Sequence, residues 1–239
     1  MEAANLIIDI GNTALKAAWA DGMTLGKTFR YQGERMLDFI LSLTEKTKPN
    51  VMILSSVRTF SKQAVEKLRN ECSRLIIIDE NILKRYDVPS YLSPDRAASI
   101  IASRYLFKKR GCTIFDLGTT LTVDFLDPEG RYEGGNVSLG CRTRFKALNR
   151  YATPLPLLGV AEDISQKGTD IASSITSGVI SGIMFEIEGY VSQHPENIAV
   201  FTGGDAIYFA KRMKNSIFVV CNLVLMGMAL IAVEYDKKD

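Results

Sequence analysis

Two short runs of this 239-residue chain carry residue types suited to holding a phosphate. Leu6-Ile7-Ile8-Asp9-Ile10-Gly11-Asn12-Thr13 is echoed 107 residues later by Thr113-Ile114-Phe115-Asp116-Leu117-Gly118-Thr119-Thr120. Each is an apolar run ending in an acid, then an apolar residue, a glycine and small hydrogen-bonding residues. The glycine lets a phosphate approach the backbone and leaves the chain free to bend. Thr and Asn side chains, with exposed amides, donate to phosphate oxygens. The carboxylate would hold Mg²⁺, or that ion's waters, against the phosphates. One copy alone also suits an ordinary hairpin turn. Two copies in matching contexts point to a polyanion site between two similar halves. Thr202-Gly203-Gly204-Asp205 adds a third glycine signal, where a buried strand gives way to a helix N-terminus able to meet a phosphate or a ribose hydroxyl.

The elements that position these residues also repeat. In the first half, strands near 6–10, 15–20 and 24–31 precede a helix near 34–45, a strand at 51–57, a helix at 61–71 and a strand at 75–78. A helix over 94–110 has strong signals, with Ser93 as N-cap, Pro94 at the first position and Gly111 just past its end. In the second half, strands near 113–117, 121–126 and 131–137 lead to a short helix at 144–150 and a long one at 170–192. A strand at 198–201, a helix at 206–213, a strand at 217–220 and a final helix complete it. Three strands, helix, strand, helix, strand, helix, given twice, predicts an α/β fold of two layered domains, 1–108 and 109–239. Ligands in such arrangements bind in the cleft between the halves.

Composition sets bounds on function. Hydrophobic content of 46% and charged content of 23% are those of a globular chain with a sizeable core. A net charge of +2 gives no electrostatic case for nucleic acid. Cys72, Cys112, Cys141 and Cys221 lie far apart with no CxxC pair, which points away from a zinc site or disulfide framework and towards reduced thiols in the cytoplasm. The start lacks a signal-peptide pattern, and the apolar stretch 223–233 is too short to span a bilayer. The only histidine, His194, falls at a helix end, where capping or exposure accounts for it.

The doubled hairpin with Thr-Gly-Gly-Asp resembles the actin-like ATPase superfamily, whose duplicated, ribonuclease H-like domains each hold a mixed β-sheet flanked by helices. Within it the chain resembles the type III pantothenate kinases. Tyr86-Asp87-Val88-Pro89 running into Ser93-Pro94-Asp95-Arg96 is similar to that family's Tyr-x-x-Pro…Gly-Ala-Asp-Arg segment. Asp9 to Thr13 is similar to its opening phosphate motif, Asp116 to Asp124 to its Asp-x-Gly-Thr-x-x-Thr-x-Asp pattern, and Gly134-Gly135 to its glycine pair. The resemblance implies ATP-dependent phosphorylation of pantothenate, the first step towards coenzyme A. It implies that Asp9, Ile10, Gly11, Asn12, Thr13 and Lys16 form the ATP phosphate loop, with Thr119 as a further contact. It implies that Asp116 is the site of a monovalent cation, potassium or ammonium, beside Mg-ATP. Asp95 becomes the general base, and Tyr86, Ser93, Pro94, Asp95 and Arg96 line the pantothenate pocket. That pocket is completed in a homodimer, for which the face Ile171, Ile175, Val179 and Ile183 and the final helix are either contacts or ordinary core.

Physical chemistry supports the central roles. An alcohol attacking a γ-phosphoryl group needs a carboxylate within reach to accept its proton. Asp95 falls in a helix's first turn, where the dipole favours the ionised form. Arg96 beside it can pair with a substrate carboxylate through its forked donors. Asp124 either supports the cation site or orders its hairpin.

The chain also departs from the family. Gly-Ala is replaced by Ser93-Pro94, the Pro-Gly after the glycine pair by Leu139-Gly140, a substrate-contacting threonine by Ile171, and Asp-Pro near the last helix by Cys221-Asn222. These changes cluster on the pantothenate and dimer sides. Two other functions compete: a kinase-fold regulatory protein, and a kinase for another small polyol. Asp9, Asp95 and Asp116 together argue against the first, and Tyr86 and Arg96 against the second.

Overall fold

The computed structural model describes residues 4–236, which form two compact units. The first holds β1 (Asn5–Ile10), β2 (Leu15–Asp21), β3 (Thr24–Tyr31), α1 (Met36–Thr44), β4 (Val51–Ser56), α2 (Lys62–Arg69), β5 (Arg74–Ile77), α3 (Glu80–Arg85) and α4 (Pro94–Leu106). Its sheet runs β3-β2-β1-β4-β5, with β1 antiparallel to β2 and parallel to β4. β1 is buried along its whole length, its Leu6-Ile7-Ile8 centre covered on both faces as befits a central strand.

The second unit holds β6 (Cys112–Leu117), β7 (Thr120–Leu126), β8 (Tyr132–Leu139), α5 (Cys141–Tyr151), α6 (Ile171–Gln193), β9 (Ile198–Thr202), α7 (Ala206–Ala210) and β10 (Ile217–Val219). Its sheet order, β10-β9-β6-β7-β8, is that of the first unit position for position. The duplication extends to the register. Asp9 lies opposite Lys16 of β2 and Ser55 of β4, and Asp116 lies opposite Thr122 of β7 and Thr202 of β9. The copies differ in the turn. Ile10 pairs with Leu15 and leaves four residues between them, whereas Leu117 pairs with Leu121 and leaves three.

The expected division at residue 108 is corrected for the last helix, α8 (Leu223–Asp236), which belongs to the first unit. A helix apolar on all sides needs cover, and α4 supplies a bed of small residues. Gly227 packs so closely there that a Cβ would sit 1.9 Å from the Ala98 carbonyl oxygen. At the far end, Asp236 accepts hydrogen bonds from Asn5 and Asn50 at the starts of β1 and β4 (3.4 and 3.3 Å). Arg74 donates to the Tyr235 carbonyl. α8 therefore runs antiparallel to β1 and β4, and its first turn lies where those strands finish. Its burial also removes it from the candidate dimer contacts, as do the core positions of Ile175, Val179 and Ile183. No helix among the described residues is long and apolar enough to cross a membrane.

α4 ends at Leu106, short of the expected 110. Lys109 takes a left-handed conformation (φ 59°) in the turn that follows. Gly111 is not a helix cap. It sits just before β6, under Asn197, whose Oδ1 lies 2.1 Å from where a Cβ would stand. α3 is a short helix with no counterpart among the expected elements, capped by the Asp79 side chain on the Ile82 amide.

Candidate active site

In the first unit the site grows from the carboxyl end of β1. Asp9 is 9% exposed, and its Oδ1 accepts a hydrogen bond from Ser55 Oγ at 2.9 Å. Lys16, directly opposite on β2, emerges on the same face of the sheet, within the roughly 5 Å between Cβ atoms of facing residues. Ile10 is core, and its carbonyl takes the Val57 amide at 3.1 Å, which seals β1 to the chain leaving β4. Gly11, Asn12 and Thr13 then swing out, closed by the Gly11 amide on the Ala14 carbonyl at 3.1 Å. Asn12 and Thr13 are exposed at the tip.

Asp95 stands in the first turn of α4, and its Oδ1 accepts the Arg96 amide at 2.9 Å. The Ser93 carbonyl accepts the first intrahelical bond from Ala97 at 3.0 Å, with Pro94 occupying the position where no donor is needed. α4 and α8 run side by side in one direction. Gly227 meets Ala98, and seven residues on, Glu234 shares Tyr86 with Arg104. The start of α4 therefore lies at the end of the sheet that carries the Asp9 loop, and within this unit Asp9, Lys16, Ser93, Asp95 and Arg96 share that end.

Tyr86 does not join them within the chain. It caps α3, and its carbonyl is held by Arg104, nine residues past Asp95, or about 13 Å of helix. Its hydroxyl is buried beside Glu234 without meeting it in hydrogen-bond geometry. Burial first, and that carboxylate second, hold its pKa far above the ordinary tyrosine value. α3 is the reason: it takes up the chain before the Tyr-x-x-Pro segment and turns the ring towards α8.

In the second unit the Asp116 turn is packed from two sides. Gly203 (φ 91°) crosses so close that a Cβ would lie 2.4 Å from Asp116 Oδ1 and 2.6 Å from the Leu117 carbonyl oxygen. Gly140 presses on the other side, its hypothetical Cβ 2.0 Å from the Gly118 oxygen. The Thr119 carbonyl accepts both the Gly140 amide (3.1 Å) and the Thr143 hydroxyl (2.6 Å). Asp205, next along the glycine turn, is buried, and desolvation raises its pKa against the opposing pull of Arg142, 3.5 Å away. Asp124 is buried two positions further from the turn, opposite Ile114 and Gly135.

Among the described residues no three His, Cys, Asp or Glu come together as a metal cage. Mg²⁺ held by phosphates needs only one or two carboxylates, which Asp9 meets. At the Asp116 turn the Leu117 carbonyl accepts the Asp205 amide at 2.9 Å, which leaves the Asp116 carboxylate as the group a cation there would rely on.

The family model for type III pantothenate kinase matches residues 5–193. The chain belongs to the type III pantothenate kinases. It is 35% identical to the type III pantothenate kinase of Azobacteroides pseudotrichonymphae over 98% of this chain and 97% of that one. It is 34% identical to that of Phocaeicola vulgatus, over 98% and 99%. In structure it is similar to a protein described as a Baf family transcriptional activator from Campylobacter jejuni, with a TM-score of 0.68, 21% identity and 96% and 98% of the two chains covered. It is also similar to the ADPNP-bound activator of 2-hydroxyisocaproyl-CoA dehydratase from Clostridium difficile (TM-score 0.60, 14% identity, 98% and 96% covered). Those two likenesses speak for the duplicated actin-like fold alone.

Other features of the kinase escaped the sequence reading. Ser55 becomes visible only with the parallel β1–β4 register, although the apolar run of β4 does turn polar at Ser55-Ser56, the strand end where such sheets bind ligands. Arg142 carried no signal at all. An apolar groove of about 1130 Å³ opens between α5 and α6, lined by Leu139, Leu148, Tyr151, Ile171 and Ile175 among others. Two of the departures from the family pattern, Leu139 and Ile171, thus lie in one place. Arg144 frames the groove, donating to the Leu139 carbonyl (2.8 Å) and pairing with Glu186.

Proposed function

We propose that this kinase transfers the γ-phosphoryl group of Mg-ATP to the primary hydroxyl of pantothenate, with Asp95 accepting the hydroxyl proton. The observation that carries the reading is the placement of Asp95 in the first turn of α4, at the sheet end that bears the Asp9 loop. Asp9 holds the Mg²⁺ that neutralises the phosphates, while Gly11, Asn12 and Thr13 offer amides and side chains to their oxygens, and Lys16 adds a cation. Thr119 is a further phosphate contact, and Asp116 holds potassium or ammonium. Ser93, Pro94 and Arg96 take the substrate, Arg96 pairing with its carboxylate.

The working form is a homodimer in the cytoplasm. Four free cysteines fit a reducing compartment. The open α5–α6 groove fits a second copy, and Ile171, 62% exposed at its mouth, is the residue that copy would bring towards the pantothenate pocket.

The test is direct. The protein is incubated with Mg-ATP, pantothenate, and potassium or ammonium, and phosphopantothenate is measured. Asp95→Asn is expected to abolish turnover while ATP binding persists. Turnover of a sugar in place of pantothenate would overturn the reading.

A further inference from the structure

Arg58 is an exposed arginine just beyond β4 with no place in the roles given above. It is held in position nonetheless. Its amide donates to Ser56 Oγ at 3.0 Å, and Ser56 Oγ donates to the Arg58 carbonyl at 2.8 Å, so the backbone around it is closed into a tight turn. The Val57 amide ties the same turn to Ile10. From there the guanidinium reaches the Asp9 loop, where Nη2 donates to the Asn12 carbonyl oxygen at 2.8 Å.

Exposed arginines ordinarily pair with a carboxylate or wave in solvent, because fixing so long a side chain costs entropy. Arg58 does neither. Among the described residues no carboxylate pairs with it, and the Asn12 bond uses one of a guanidinium's five N–H donors. An uncompensated cation with spare forked donors is thus fastened to the tip of the loop that already presents Gly11, Asn12 and Thr13. That is the arrangement that recognises a phosphate oxygen pair.

We infer that Arg58 is a nucleotide-binding residue, a cationic clamp that contacts the polyphosphate of ATP from the β4 side while bracing the Asp9 loop through Asn12. The inference rests on the reading of that loop as the phosphate site. It adds a charge that the loop itself, with only Lys16, would otherwise lack on this side.

Three variants separate charge from bracing: Arg58→Gln keeps amide donors but removes the charge, Arg58→Lys keeps the charge but loses the fork, and Arg58→Ala removes both. Each is assayed at varied ATP and varied pantothenate, and binding of a fluorescent ATP analogue with Mg²⁺ is titrated at low and high salt. The expected result is a roughly 10-fold rise in the KM for ATP and in analogue Kd for Arg58→Gln and Arg58→Ala, with a smaller rise for Arg58→Lys. The KM for pantothenate should hold, and analogue binding should become less salt-sensitive in Arg58→Gln. Circular dichroism melts check that the exposed site leaves the fold unchanged. Asp9→Asn is measured alongside. If Asp9→Asn weakens the analogue and Arg58→Gln does not, Arg58 is at most a brace and the inference falls alone. If neither weakens it, the loop is not the phosphate site and both readings fall.

Discussion

Ser55 Oγ donates a hydrogen bond to Asp9 Oδ1 at 2.9 Å, in a buried contact that joins two strands 46 residues apart in sequence. It fixes one carboxylate oxygen of the group proposed above to hold Mg²⁺. On that proposal Asp9→Asn should reduce kcat/KM for ATP by at least about 100-fold, since it removes the charge assigned to Mg²⁺. Ser55→Ala should cost about 10-fold, the worth of one charge-assisted bond. Steady-state kinetics with ATP varied reads both. A Ser55→Ala enzyme indistinguishable from the parent would mean that other contacts alone orient Asp9.

Two adjacent glycines give a sharper contrast. Gly203 has φ of 91° and no room for a Cβ against Asp116 Oδ1, whereas Gly204 has nothing within 4 Å of that position. Gly203→Ala should lower stability by about 2 kcal/mol or more and disturb the Asp116 turn, while Gly204→Ala should change stability by well under 1 kcal/mol. Thermal melts of the two variants, with the potassium dependence of activity, decide it.

These two cases mark what could be read from the chain alone. Every strand had a legible core, because apolar runs such as Leu6-Ile7-Ile8 and Val51-Met52-Ile53-Leu54 admit few alternatives, and the repeat of Asp9 at Asp116 disclosed the duplication. The partners of those acids were not legible. Ser55 and Gly203 reach them through parallel pairing with β4 and β9, and parallel register has no local code comparable to a hairpin turn. The home of α8 was hidden for a different reason: a helix apolar all round names no face, and it takes the close fit of Gly227 on Ala98, with Asp236 against Asn5 and Asn50, to show where it docks. α3 was missed because six residues with a single cap signal are too short for periodicity to register.

Tyr86 tests the cost of that miss. Its hydroxyl is buried at the far end of α4 from Asp95 and without a hydrogen-bond partner among the described residues. Tyr86→Phe removes an unsatisfied polar atom, so it should leave stability equal or slightly higher. The KM for pantothenate should stay within about twofold. A tenfold rise in that KM would return the ring to the pocket, by way of a partner subunit.

Thiol reactivity follows from burial. Desolvation pushes the Cys112 and Cys141 thiols up to about 11, and Cys72 is raised more modestly. The thiolate is the nucleophile, so at pH 8 roughly one in a thousand of the two buried groups is reactive even before access is counted. Iodoacetamide at pH 8 should label exposed Cys221 first, Cys72 slowly, and Cys112 and Cys141 only after unfolding. Because the folded values are raised, labelling of the native protein should climb as pH rises towards 11. Peptide mass spectrometry reads each site, and rapid labelling of Cys141 at pH 8 would contradict the burial of the α5 start.

The exposed face of α6 carries the last expectation. Ile171, Gly178, Gly182, Phe185 and Gly189 follow one stripe at helical spacing. Ile171 and Phe185 are 62% and 69% exposed, and a Cβ at Gly178 or Gly189 would meet nothing within 4 Å. Glycine inside a helix costs up to about 1 kcal/mol relative to alanine, so three on one open stripe need a reason. Close approach of a second helix supplies one, with the two large apolar residues as anchors. Phe185→Glu should then convert a dimer into monomers in sedimentation velocity, and Gly178→Leu should do the same by bulk alone. Both should leave the thermal unfolding of the isolated chain nearly unchanged, because neither position touches the core. Ile171→Thr is the finer probe. With Phe185 left to anchor the proposed dimer, it should weaken association less than Phe185→Glu and alter the KM for pantothenate but not for ATP, since in that dimer Ile171 is the side chain proposed to reach the substrate. A dimer that survives both Phe185→Glu and Gly178→Leu would place the interface elsewhere and leave the glycine stripe unexplained.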